Sequence, residues 1–189
     1  MVEFAIIATI LFTLIFGLIE GAFAVRARNA VSNAVNDAAR AGAVAGSNSD
    51  ADWQVLNQLV GRGAHDSSNI QYVTIYNASS GSDGSDPADC PAGGGSAVCQ
   101  CLNGVAQPGV CNVYLPATLD QVQSNRAQFI AGGLGADWPA AGRATGDTLG
   151  FIGVYVRSDY QPILNQLLFD WEFQVNAQGL QALETSGEL

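Results

Sequence analysis

FAIIATILFTLIFGLIEGAFAV, residues Phe4 to Val25, holds a single ionisable side chain, Glu20. It is apolar on every side, so it has no wet face of the kind a helix on a globular surface keeps. At about 1.5 Å per residue it makes a helix of roughly 33 Å, enough to cross the hydrocarbon core of a bilayer. No Pro separates it from the stretch Arg26 to Gly46, so a single helix is expected over about residues 1–46.

Small residues recur every fourth position along this helix: Ala5, Thr9, Thr13, Gly17 and Gly21, with Gly17 and Gly21 forming a GxxxG pair. The spacing returns downstream as Ala30, Ala34, Ala38, Gly42 and Gly46, among polar residues such as Asn33, Asn36, Asp37 and Arg40. A four-residue repeat exceeds 3.6, so the stripe winds slowly round the helix. Gly is costly inside a helix unless close packing requires it, which makes the upstream stripe an expected helix-packing surface.

Residues 47–189 are enough for one further domain. GSNSDAD, Gly46 to Asp52, is a helix stop followed by capping residues, and a short amphipathic helix is expected next, with Trp53, Leu56, Leu59 and Val60 on one side. Asn69 to Asn77, Val110 to Leu115, Leu149 to Arg157 and the alternating run from Trp171 to Ala177 read as strands. The third is apolar on both sides and is expected at the centre of the sheet. Helices are expected over Thr118 to Ile130 and over Asp159 to Phe169. The fold class is therefore α+β: a long N-terminal helix carrying a small antiparallel sheet with short helices.

Cys90, Cys99, Cys101 and Cys111 fall in one Gly-rich segment, and their spacing contains no CxxC knuckle, which disfavours zinc. Two local disulfides are expected, pinning the loop at 78–111 and placing the body in an oxidising compartment. If the CxC lies on a strand, Cys99 and Cys101 point the same way and do not bond each other. Cys90 and Cys111 are then each joined to one of them, in an order the sequence leaves open.

The formal net charge is −10 and all seven basic residues are arginines, so binding to a phosphate backbone by counterion release is not expected. Catalysis has little support. His65 is the single histidine and stands beside Asp66 and Ser67, but neighbours in sequence do not make a triad. No Gly-rich phosphate loop ends in Lys, because the chain has no Lys. Asp83, Asp86 and Asp89 lack the EF-hand order, and no metal or cofactor is expected. Asn77-Ala78-Ser79 is a formal N-glycosylation sequon.

The opening, from Val2-Glu3-Phe4 through the apolar run, Gly17-x-x-Glu20, and on to Asn33, Ala38, Ala39, Arg40 and Gly42, resembles TadE-like proteins, the pilin-like components of tight-adherence (Tad) pili. The resemblance implies a type IV pilin-like subunit. Such a subunit is processed by a prepilin peptidase, held as a single-span inner-membrane protein, and then drawn into an extracellular filament. Its implied partners are copies of itself packed through the N-terminal helices, other pilins and the assembly machinery. The membrane is an implied partner before assembly.

In such proteins an acidic residue stands at the fifth mature position. Glu3 is its counterpart at the third, so Met1 is not expected to be the mature start, and a removed basic leader is expected. That leader would also reconcile Arg26 and Arg28 with the orientation of the span. Glu3 is then expected to neutralise a neighbour's N-terminal ammonium. Glu20 either pairs with Arg26 or Arg28 of another subunit or marks where the helix leaves the bilayer. The expected function is a structural filament subunit with an adhesion or motility role. The alternatives are a minor pilin that primes assembly, or a membrane-anchored monomeric extracellular binding domain.

Overall fold

The computed structural model describes residues 2–61, 70–78, 90, 96–143, 150–160, 162 and 173–183. The first helix, α1, runs unbroken over Val2–Ala45, as the absence of Pro requires. Gly46, at φ 53°, ends it, and its N–H closes back on the Gly42 carbonyl at 3.0 Å. The second helix, α2, is Ala51–Gly61 and buries Val55, Leu56, Leu59 and Val60 against α1, while Trp53 is only half-buried.

Four antiparallel strands form one sheet in the order β2-β1-β3-β4. They are β1 Ile70–Asn77, β2 Cys111–Tyr114, β3 Phe151–Tyr160 and β4 Phe173–Ala182. The apolar run expected at the centre is the inner strand β3, which pairs with β1 on one side and along ten residues of β4 on the other. In β4, Val175 and Ala177 are buried while Gln174 and Asn176 are exposed, the half-wet alternation read from the sequence. The pairing of β1 with β3 slips between Ile70 and Tyr72, and the irregularity lets Ile70 and Val73, three apart, share the same core.

One face of the sheet takes the second half of α1. Val31, Ala34, Val35, Ala38, Ala39 and Ala43 pack with Ile75, Ile152, Val154, Val156 and Val175 in the main core. Small side chains let the backbones come close. A Cβ added at Gly179 of β4 would stand 2.8 Å from the Val35 carbonyl oxygen, and one at Gly42 would stand 2.7 Å from Val55 Cγ2. The downstream small-residue stripe is thus spent within the chain, on its own sheet and on α2.

The opposite face carries Tyr72, Tyr76 and Tyr155, with the Tyr76 ring lying over Gly153. A short helix, α3, Ala97–Leu102, covers it and is capped by Ser96, whose hydroxyl accepts from the Cys99 N–H at 3.3 Å. The CxC therefore lies on a helix, a correction to the strand geometry expected for it. Successive helical positions turn by about 100°, so residues two apart face nearly opposite ways. Cys99 bonds Cys90 and Cys101 bonds Cys111, which staples α3 to the start of β2.

The helix expected over Thr118 to Ile130 is two helices, α4 Pro116–Ser124 and α5 Arg126–Ala131. Asn125 breaks them: its backbone is extended, and its side-chain oxygen caps α5 by accepting from the N–H groups of Ala127 and Gln128. Asp159, expected to open a helix, and Tyr160 instead prolong β3. The rest of that expected helix, His65 with Asp66 and Ser67, and the three aspartates at 83, 86 and 89 lie outside the described residues.

Burial pushes the hydroxyls of Tyr155 and Tyr160 up to about 12, with the Glu20 carboxylate adding to the effect at Tyr160. Burial also raises Tyr76 and, more strongly, Tyr114. In the unfolded chain these groups ionise near pH 10. Because the folded values are raised, the stability they contribute is fully present below about pH 10 and is lost as pH climbs toward 12. Circular dichroism is expected to report unfolding in that window, together with the rise in tyrosinate absorbance. Titration of all five tyrosines near pH 10 with the fold intact would contradict the burial described.

Candidate assembly site

The first half of α1 carries no core of its own. Thirteen of the exposed large apolar side chains lie between Phe4 and Val25, and only six lie elsewhere among the described residues, so the apolar surface is one continuous sleeve. Phe4 is 77 % and Leu18 75 % exposed. A contiguous apolar surface of this kind on a water-soluble monomer marks a partner or a membrane. Among the described residues α1 is the one helix long and apolar enough to span a bilayer.

Gly17 and Gly21 are open: an added Cβ at either would meet nothing within 4 Å. Thr9 and Thr13 are exposed, and Thr13 spends its hydroxyl on the Thr9 carbonyl at 2.8 Å, which leaves its methyl outward as a small apolar bump. The side chains of Glu3 and Ala5 lie outside the described set. By the turn of about 100° per residue, Thr13 and Gly17 fall on the flank that, further along, faces the body through Glu20, Ala24, Ala27 and Val31. Thr13 and Gly17 thus lie beneath the body, while Gly21, about 100° round from Glu20, has turned off that flank.

Glu20 sits where the two halves meet. It is 8 % exposed and accepts a hydrogen bond of 2.9 Å from the Tyr160 hydroxyl, at the end of β3. A carboxylate in an apolar run is costly unless hydrogen-bonded, and here the body supplies a donor. Tyr160 had no signal in the sequence, because it lies 140 positions from Glu20.

A second cluster that sequence reading missed holds the body together. Asp52 of α2 accepts from Asn112 Nδ2 at 2.7 Å, from the Tyr114 hydroxyl and from Arg143, whose guanidinium is buried. Arg143 also donates to the Trp138 carbonyl at 2.8 Å and lies 4.2 Å over its ring. Asn112 closes the ring by accepting from the Trp138 N–H at 2.7 Å. The cluster ties the Gly/Ala-rich segment to β2 and α2. Its members bond one another, with only the buried Arg143 Nε left without a partner among the described residues, which marks a structural joint.

Asn77 ends β1, half-buried, with its N–H given to the Val110 carbonyl at 2.8 Å. Among the described residues no group of His, Cys, Asp and Glu is arranged to hold a metal.

Residues 1–40 match the family model of TadE-like proteins. Comparison with characterised proteins and with solved structures finds no match. The matched segment holds the whole apolar sleeve and the residues Ala34, Ala38 and Ala39 that seat α1 on the sheet.

Proposed function

We propose, from a chain whose first forty residues are TadE-like, that this protein is a structural and not a catalytic subunit. It polymerises into an extracellular Tad-type filament by packing its N-terminal helices. Residues 1–46 serve as the membrane and assembly segment, and residues 47–189 form the extracellular body, whose surface loops carry adhesion or motility. Before assembly the chain is a single-span inner-membrane protein, and its partners are its own copies, other pilins and the assembly machinery. The carrying observation is the contrast within α1. The same small-residue spacing that is closed on the sheet at Gly42 is open at Gly17 and Gly21, on a helix exposed all round. Such a surface favours close helix contacts in a bundle, which a mere tether does not need.

The test is negative-stain microscopy of sheared surface material, with mass spectrometry of the filaments. This chain is expected as a filament component with its two disulfides intact. Recovery only from the membrane fraction, as a monomer, would favour an anchored binding domain instead.

A further inference from the structure

The polar boundary of α1 does not lie at one height. On the flank that meets the body the ionisable group that ends the apolar run is Glu20, held under Tyr160, and Ala24 and Ala27 continue that flank against the core. Arg26 is exposed and lies about 120° round the helix from Glu20, six residues further along, or roughly 9 Å higher. Between the two levels the surface away from the body stays apolar, with Ala22, Phe23 and Val25 all exposed. Across a helix roughly 10 Å wide, a flat lipid surface meets both boundaries only if the axis leans, by about 40°, the upper end of the ordinary range.

The charges supply an independent observation. In the chain as a whole acidic residues outnumber basic ones by 17 to 7, so attraction to a phosphate layer has to come from individual arginines. Arg126 and Arg143 are paired with Asp50 and Asp52, and Arg157 rests on the Tyr72 ring. Among the described residues no carboxylate pairs with Arg26 or Arg28, both exposed where the apolar sleeve ends.

We propose that the unassembled chain rests its body on the bilayer surface. In this state α1 crosses at a tilt and the Tyr160 corner lies in the headgroup layer. Arg26 and Arg28 take the phosphates of anionic phospholipids. This rests on the membrane-anchored stage of the function proposed above. Exposed arginine suits that depth, because it keeps its apolar stem in the chains and its charged tip among the headgroups.

The test uses the full chain in phosphatidylcholine nanodiscs with and without phosphatidylglycerol. Because the described cysteines are all in disulfides, an introduced cysteine is the free thiol for a nitroxide label. Labels at Gly17→Cys and Ala22→Cys, on the near and far flanks, are expected at the same depth by oxygen and nickel-chelate accessibility. An upright helix would put the second about 7.5 Å shallower and overturn the tilt. Both labels in water would overturn the membrane-anchored stage itself.

For the lipid contact, the purified parent is expected to retain phosphatidylglycerol over phosphatidylcholine by roughly fivefold for each arginine near the surface. The Arg26→Gln/Arg28→Gln variant is expected to return to the bulk ratio. A parent without that enrichment, or a variant that keeps it, would overturn the contact.

Discussion

Replacing Arg143 with Ala is expected to destabilise the body by about 3 to 5 kcal/mol, the range for breaking a buried ion pair from one side. Domains of this size carry only about 5 to 15 kcal/mol in all, so the loss is a large share. The change leaves the Asp52 carboxylate enclosed at 6 % exposure with Asn112 and Tyr114 as neutral donors, and it empties the space over the Trp138 ring. At about 2 to 4 °C per kcal/mol, thermal unfolding followed by circular dichroism is expected to shift down by roughly 10 °C. The double variant Asp52→Asn/Arg143→Met is expected to recover most of this, because a buried pair replaced whole by neutral groups of similar size is often no less stable. A single variant that melts within 2 °C of the parent, a range of about 0.5 to 1 kcal/mol, would show that Asp52 reaches water and that the joint is not buried.

That joint also shows where the sequence stops speaking. Asp52 and Arg143 are 91 positions apart, one after a polar turn and the other in a Gly/Ala-rich stretch, and nothing local says that they meet. The elements were legible where the signal is local. The unbroken apolar run of β3 announces a central strand, and the alternation from Phe173 announces a half-wet one. The break at Asn125 was also local, since Asn before a helical stretch is a capping signal, but the apolar spacing of Leu119, Val122 and Ile130 outweighed it. The CxC spacing by itself does not tell strand from helix, whereas the Ser96 cap is what starts α3. Glu20 stood out at once as a charge in an apolar run. Its partner Tyr160 did not, because a hydrogen bond made by tertiary packing leaves no trace in spacing.

The small-residue stripe is the sharpest case, since spacing alone does not separate contacts within a chain from contacts between chains. The structure separates them for the single chain. At Gly42 an added Cβ would collide with Val55 and Ile152, at 2.7 and 2.9 Å, whereas at Gly17 and Gly21 it would meet nothing. The double variant Gly17→Leu/Gly21→Leu is therefore expected to fold with unchanged or higher thermal stability, because Leu is a better helix former than Gly by nearly 1 kcal/mol. Membrane insertion is expected to persist, since Leu favours the bilayer more than Gly does. What it removes is the close approach of a second helix. Filaments in sheared material, scored by microscopy, are expected to disappear while the chain accumulates in the membrane fraction. Gly42→Leu is the matched control with the opposite pattern: its side chain would be driven into Val55 and Ile152, and the body is expected to lose stability before assembly is reached. Normal filaments from the double variant would remove close helix packing along this stripe as the basis of polymerisation, and the sleeve would then be left as a membrane span alone.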